Sequence, residues 1–485
     1  MPKKSKKKNK NRRDTNAAGA TTAPNAQKRR PGCSIISLGC PKNLTDSERM
    51  IGRMVEAGFQ FRENASRVDV MILNTCGFLG DARDEAREIL ATLLTEKKAG
   101  RIQTVIVTGC AVQHEREKLI EEFPAVDSWL GVFDEFRIGE IARRLIDPTS
   151  GTDDETQRVF LSAEEKTRFD DSARHRLTLP HVAYLKIADG CSRHCAYCLI
   201  PKIRGSFVSR PKEQIIDEAK RLAGEGVREI VIIAQETNFW GIDLYGRPML
   251  AGLLAELQAI DGFDWLRLMY AYPARFSEEL IDLFASGGKL LPYIDLPLQH
   301  CNDVILRKMN RQATRSEIET LLGKLRDRVP NLVLRTSFIA GFPGETDAMF
   351  DELLDFVQAW RFERAGVFQY SREEGTVAAT MPDQIDAAVK AGRYRRLYEW
   401  TESLTRDRAS RQIGKRHDVL IDQPERDVTG RAIPGVFVGR TFADAPEIDP
   451  VVLVTAQTPG QIAPGQIVSC EIVMNDGVNL IAVPA

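Results

Sequence analysis

Three of the nine cysteines in this 485-residue chain fall within eight positions, Cys191-Ser-Arg-His-Cys195-Ala-Tyr-Cys198. Three thiolates on one loop can point at one centre. A structural zinc site is normally closed by four ligands. No fourth cysteine stands at close range, and His194 lies between two of the three, where its ring is expected to point away. Three cysteines suit an iron–sulfur cluster that keeps one iron free of protein. Such an iron can bind and activate a ligand.

Cys40, Cys76 and Cys110 form a second set, far apart in sequence. Each closes an apolar run: Leu38-Gly-Cys40, Asn74-Thr-Cys76 and Thr108-Gly-Cys110. If those runs are parallel strands, their carboxyl ends share one edge, where ligands bind in α/β sheets. Gly39, Gly77 and Gly109 would let a cluster approach the backbone. Spacing alone leaves two readings open: a second three-cysteine cluster, or three cysteines buried as small apolar residues.

The elements that must hold these residues are legible from hydrophobic runs and breakers. Strands are predicted at 35–38, 68–73 and 104–107, with helices over 45–57, started by Thr45/Asp46, and 81–98. Alternating strands and helices imply a parallel sheet. Residues 147–176 are polar and read as a linker with one edge strand. From Val182 the alternation resumes, with strands at 182–187, 229–234, 265–270, 293–298, 332–339 and 366–370 and helices between them. Six such units suggest a partial or full barrel. A charged helix over 382–412 closes it. Five short strands between Gly, Pro and Asp turns follow, at 419–421, 435–438, 451–454, 467–473 and 480–483. The expected fold class is therefore α/β. A parallel N-terminal domain (31–146) is joined to a central partial (β/α) barrel (177–412) and a small five-stranded OB-like β-barrel (413–485).

Hydrophobic residues make up 43% and charged residues 28%, as in globular chains. No apolar run reaches the roughly 20 residues of a membrane helix. No secretory h-region is evident either, so a cytoplasmic, reducing location is expected and the cysteines read as metal-binding, catalytic or core residues. Residues 1–30 hold eleven Lys and Arg against Asp14 alone. That segment reads as a disordered tail, either an RNA-contacting arm or a solubilising one.

The spacing Cys191-x3-Cys195-x2-Cys198 after the first strand of a βα barrel resembles the radical S-adenosylmethionine superfamily. That resemblance implies a 4Fe-4S cluster whose free iron chelates S-adenosylmethionine, from which one electron releases a 5′-deoxyadenosyl radical. Tyr197 would lie near the adenine. Gln235 and Glu236, ending the second barrel strand, would hold the methionine amino group. Gly341 and Glu345, in Ala340-Gly-Phe-Pro-Gly-Glu345, would contact the same molecule. Arg204 would pair with a cofactor or substrate carboxylate, or with a surface acid. Gln299 and His300 end the fourth strand.

Ser37-Leu-Gly-Cys40-Pro-Lys-Asn-Leu44, Asn74-Thr-Cys76 and Thr108-Gly-Cys110 are similar to the methylthiotransferase family over residues 33–485. The likeness implies a second 4Fe-4S cluster on Cys40, Cys76 and Cys110 that carries the transferred sulfur, and a C-terminal TRAM domain. Members acting on tRNA usually read Gly-Cys-Gln-Met-Asn at the first cysteine and Val-Val-Pro-Tyr-Thr-Arg-Gly after the radical loop. This chain has Gly39-Cys-Pro-Lys-Asn43 and Leu199-Ile-Pro-Lys-Ile-Arg-Gly205. These resemble the branch that modifies an aspartate of a small-subunit ribosomal protein. Residues 411–485 carry six basic and nine acidic groups, which suits a basic protein partner better than a nucleic acid. An electron donor such as flavodoxin or ferredoxin is implied. The rivals are tRNA adenosine methylthiolation and a non-enzymatic iron–sulfur protein that docks on the ribosome. Cys33, Cys301 and Cys470 are not expected to be ligands, Cys301 being the one to watch because it follows a strand end.

Overall fold

The computed structural model describes residues 29–63, 65, 67–147, 158–163, 169, 174–456, 458 and 460–485. The basic segment 1–28 and most of the 147–176 linker lie outside them. No described helix is long and apolar enough to cross a membrane.

The first domain is a six-stranded, all-parallel sheet. Its strands are β1 (Gly32–Ser37), β2 (Gln60–Phe61), β3 (Val68–Thr75), β4 (Ile102–Gly109), β5 (Ser128–Leu130) and β6 (Val159–Phe160), in the order β2-β1-β3-β4-β5-β6. The run Val68-Asp-Val-Met-Ile-Leu-Asn-Thr75 is almost unbroken in apolar character because helices cover both faces. Leu73, Val105 and Val107 pack with Leu90 and Leu93 on one side. Val70, Ile72 and Ile106 pack with Met50, Met54 and Ile141 on the other. The predicted edge strand is β6. The first helix runs Pro41–Glu56 with Cys40 at its N-cap, four residues ahead of the predicted start. Proline fits the first helical position, where its missing N–H is no loss. Thr45, read as a start signal, instead donates its hydroxyl to the Pro41 carbonyl.

The second domain is also parallel: β7 (Val182–Lys186), a small antiparallel pair β8 (Ala188–Asp189) and β9 (Val208–Ser209), then β10 (Glu229–Ile233), β11 (Trp265–Leu268), β12 (Leu290–Asp295), β13 (Val333–Ala340) and β14 (Arg364–Gln369). The six long strands pair in chain order from β7 to β14 and stay open at the two ends, a partial barrel. One face of each strand meets the helices, through Ala183, Leu185, Ile230, Ile232, Leu266 and Leu268. The other face, with Tyr184, Val231, Tyr293 and Val333, packs against Leu420, Ala443 and Ala445 of the third domain.

That third domain is a closed barrel of β15 (Arg416–Arg426), β16 (Ala432–Arg440), β17 (Val452–Thr455), β18 (Ile467–Asn475) and β19 (Leu480–Pro484). Its strand pairs are antiparallel except β17 with β19. It seats on the amino-terminal ends of the larger barrel's strands. Glu229, the first residue of β10, is fully buried between Arg267 (2.7 Å) and Arg440 (2.5 Å). Arg440 also meets Asp422 at 2.7 Å, and Asp422 meets His181 at 3.0 Å. The small barrel thus covers the amino ends of these strands, and the predicted site residues lie at their carboxyl ends.

Candidate functional site

Cys40, Cys76 and Cys110 sit together at the carboxyl edge of the first sheet. Gly39 has φ +93, and a Cβ there would stand 3.0 Å from the Cys76 sulfur. A Cβ on Gly77 would press within 2.6 Å of the Cys110 carbonyl. The turns therefore need glycine because the three cysteine segments crowd one another. Asn43 braces them from the first helical turn. Its Nδ2 donates to Leu38 O and Thr75 O, each at 2.9 Å, and its Oδ1 lies 3.5 Å from the Cys110 sulfur. Burial pushes the Cys110 thiol up to about 12. Cys40 opens to solvent. Crowding by neighbouring atoms raises its thiol, but Lys42, Arg204 and the backbone N–H groups of Asn43 and Lys42 outweigh that and hold it below the ordinary value.

The loop Cys191–Cys198 rises from the carboxyl end of β7. The Arg193 N–H lies 3.4 Å from the Cys191 sulfur, and the Ile200 N–H lies 3.5 Å from that of Cys198. The Arg311 guanidinium approaches the Cys195 sulfur at 3.9 Å. Burial raises Cys191 to about 11 and Cys198 to about 12. The loop is tied down by Ala196 N–H to Met309 O (2.9 Å) and Ala378 N–H to Ala196 O (2.8 Å). His194 is exposed, as its place between two cysteines suggested. Among the described residues no three Cys, His or acidic side chains already converge as on a single metal ion. Each set offers three thiols and glycine or backbone N–H groups beside them, a donor set that fits a cysteine-held iron–sulfur cluster with one iron free.

The remaining candidates line the mouth of the larger barrel. Glu236 makes a bidentate pair with Arg193 (2.6 and 2.8 Å), so it braces the cysteine loop. Gln235 donates to Asp189 Oδ1 at 2.9 Å and leaves its buried Oε1 without a partner. Glu345 accepts from the backbone N–H groups of Gly341 and Phe342, which shapes its own turn. Its other oxygen is buried and unpartnered, as is Nε2 of His300. Tyr197 packs edge-on against Phe342, with ring centroids 6.5 Å apart. Orphaned polar atoms on three different strand ends are what a small polar ligand in the mouth would satisfy, and S-adenosylmethionine, with amino, carboxylate and hydroxyl groups, fits that need.

Arg204 departs from expectation. It is neither a surface residue nor turned to the mouth alone: its side chain is 4% exposed and bridges two domains. It meets Asp46 at 2.8 Å, Asp189 at 3.2 Å and Asn43 Oδ1 at 2.7 Å. Lys186 meets the same two carboxylates, at 2.5 and 3.0 Å. Burial would raise the Asp189 carboxyl, but Lys186 and Arg204 hold it far below the usual range. The helix Ile200–Arg204, which follows Cys198 directly, also packs its Ile203, with Leu199, against Cys110. The two cysteine sites are thus separated by one short helix. Nothing in the sequence marked this seam except Lys186, a lone charge between the apolar run Val182–Leu185 and Ile187. Cys33, Cys301 and Cys470 are buried in three separate cores.

Comparison with known proteins agrees with this division. The radical SAM superfamily matches residues 185–357, Uncharacterized protein family UPF0004 residues 33–131, and the TRAM domain residues 413–484. The ribosomal protein uS12 methylthiotransferase RimO of Lachnoclostridium phytofermentans is 41% identical over 436 residues, covering 90% of this chain and 95% of the relative. That of Symbiobacterium thermophilum is 42% identical over 447 residues (90% and 88%). That of Geobacter sulfurreducens is 40% identical over 452 residues (92% and 97%). Among solved structures, the radical S-adenosylmethionine methyltransferase TsrM of Kitasatospora setae aligns with a TM-score of 0.53 at 17% identity, over 70% of this chain and 75% of that one, a likeness of fold.

Proposed function

The chain belongs to the family of uS12 methylthiotransferases within the radical S-adenosylmethionine superfamily, and we propose that it places a methylthio group on the β-carbon of an aspartate of that ribosomal protein. When bound, two 4Fe-4S clusters and S-adenosylmethionine supply the electron, the radical that removes hydrogen from carbon, and the methylated sulfur. Cys191, Cys195 and Cys198 would hold one cluster, and Cys40, Cys76 and Cys110 the other. Tyr197, Gln235 and the turn Gly341–Glu345 would line the S-adenosylmethionine site.

The protein's own task is placement. The observation that carries the two-centre reading is the packing of Cys110 against Leu199 and Ile203, one helical turn beyond Cys198. A carbon that is activated at one site and receives sulfur at the other must reach both without a large movement, and a gap of one helix permits that. Glu236 holds Arg193, and Arg193 also lies 3.8 Å from the Tyr272 ring centroid, so the cysteine loop is fixed to the barrel rim. Arg204 and Lys186 tie the first domain to the second. The small barrel packs on the far end of the larger one, away from the cysteine sites.

Mass spectrometry of ribosomal proteins and tRNA nucleosides, from cells with and without this protein, tests the reading. Loss of the methylthio mass from a uS12 peptide supports it. Loss from tRNA adenosine instead overturns it.

A further inference from the structure

Lys42 is a buried cation beside Cys40, whose thiol it helps to hold below the ordinary value. It lies two residues after Cys40 in the first turn of the helix Pro41–Glu56 and is 8% exposed. A lysine so buried normally has an anionic partner. Among the described residues the Lys42 ammonium makes no hydrogen bond and no ion pair. Its Nζ sits instead 3.2 Å from the centroid of the Tyr270 ring. The neighbouring acids are already engaged. Asp46 and Asp189 are held by Lys186 and Arg204. Asp295, which accepts the Tyr270 N–H at 3.0 Å, is paired with Arg335 at 2.7 Å.

Tyr270 stands at the mouth, just past the end of β11, with φ +60. A left-handed tyrosine is strained, and such positions persist where the surroundings fix them. Here the Thr237 N–H binds the Tyr270 carbonyl at 3.1 Å, and Asp295 binds its N–H. The ring is therefore a fixed platform, and the ammonium resting on it keeps N–H donors to spare. The platform belongs to the radical barrel and the ammonium to the sulfur-site helix, so the spare donors lie between the two cysteine sites.

We propose that Lys42 recognises the side-chain carboxylate of the substrate aspartate and so orients its β-carbon between the two cysteine sites. This rests on the uS12 reading above. In aspartate the carboxylate is bonded directly to the reacting β-carbon, so a cation that fixes the carboxylate also fixes the C–H bonds next to it. A neutral amide of the same shape offers one oxygen and no charge, and should be held less well.

The test pairs protein variants with substrate variants. Wild-type, Lys42→Met and Lys42→Arg holoenzymes are titrated with purified uS12 and with uS12 whose target aspartate is asparagine. Iron content and the spectra of both clusters are measured in parallel. The wild type should bind and modify the aspartate form about tenfold to a hundredfold better than the asparagine form, the usual range for a hydrogen bond to a charged group. Lys42→Met should reduce that ratio to about twofold or less with both cluster spectra retained, and Lys42→Arg should restore most of it. An undiminished ratio in Lys42→Met overturns the assignment. So does loss of the first domain's cluster spectrum in Lys42→Met, which would make Lys42 a counter-ion of that cluster. If wild-type enzyme modifies neither form of uS12, the functional reading itself falls, which the binding ratio alone would not show.

Discussion

Replacing Arg204 with methionine should loosen the seam between the first two domains by an amount the structure sets. Arg204 and Lys186 face Asp46 and Asp189 in a buried group at 2.5–3.2 Å, and Arg49 joins it at 3.6 Å from Asp46. Methionine keeps most of the side-chain volume and removes one positive charge, so Asp46 and Asp189 both lose a partner and are left to share Lys186. Breaking a buried pair from one side costs about 3–5 kcal/mol. At about 3 kcal/mol the opening equilibrium shifts roughly a hundredfold. Removing Asp46 as well, in Arg204→Met/Asp46→Asn, leaves Lys186 to Asp189 alone. The double variant should therefore be much less perturbed than the sum of the single ones.

Native-state hydrogen exchange reads this locally, which suits a chain of three domains. The amides to watch are those of the helix Pro41–Glu56 and of Leu177, whose N–H reaches Glu48 at 2.7 Å across the same seam. The pH dependence has a definite sign. In the wild type Asp189 is held far below the ordinary aspartate value, so its contribution is complete above the unfolded value and is lost only in strong acid. In Arg204→Met the surplus carboxylate can take up a proton, so the deficit should be largest near neutrality and shrink as pH falls. Additive effects in the double variant, or unchanged exchange in the single one, would refute the linked network.

Other outcomes follow from the same geometry. Gly39→Ala should cost about 1–2 kcal/mol for its left-handed backbone. It should also displace the Cys76 sulfur, so iron content should drop toward half, whereas Gly100→Ala, with φ +71 and no atom within 4 Å of the new Cβ, should keep its iron. Glu345 is raised to about 7 by burial, so the folded protein holds a proton that the unfolded chain gives up. Stability should therefore fall by up to about 3 kcal/mol as pH rises from about 4.5 to 7, and melting curves of Glu345→Gln should lack that slope. Cys76→Ala should abolish methylthiolation of uS12 while 5′-deoxyadenosine is still formed, since Cys191, Cys195 and Cys198 are untouched. Full product formation by that variant would remove the sulfur-carrying role from the first domain.

The three-domain order and the six barrel strands were legible because they depend on local signals, apolar runs of strand length and glycine turns, and strand ends alone brought Cys40, Cys76 and Cys110 to one edge, where their ligand role stands as a proposal. What was not legible depends on pairing across the chain. Asp46 was read as a helix start because an acid before an apolar run usually is one; its partners, Lys186 and Arg204, lie more than a hundred residues away. Arg204 was offered as a cofactor or surface residue because the five-residue helix Ile200–Arg204 carries too few residues for a periodic signal. Glu236 was placed at the mouth, yet its bond to Arg193 shows only in three dimensions.

The charge of the small barrel carries the same lesson further. Its acidic excess suggested a surface for a basic partner. In the structure Asp422 is spent on Arg440, Asp444 on Arg364, and Asp449 accepts from Tyr293 Oη at 2.6 Å beside Arg335 and Arg364. Arg335 and Arg364 belong to the larger barrel, so two of these acids serve the domain junction, and the third cancels a barrel arginine. The charges left on residues 411–485 are close to balanced: Asp418, Glu425, Asp427, Glu447, Glu471 and Asp476 against Arg411, Lys415, Arg416, Arg426 and Arg431. Net charge on this barrel is then a weak basis for choosing an aspartate over any other residue. That choice has to be made where the side chain reacts, at the seam beneath Cys40, where the Lys42 ammonium rests on the Tyr270 ring with no acid partner among the described residues. Neutralising Glu425 and Asp427 together should therefore alter the salt dependence of uS12 binding and leave the aspartate-to-asparagine ratio untouched, whereas Lys42→Met should do the reverse.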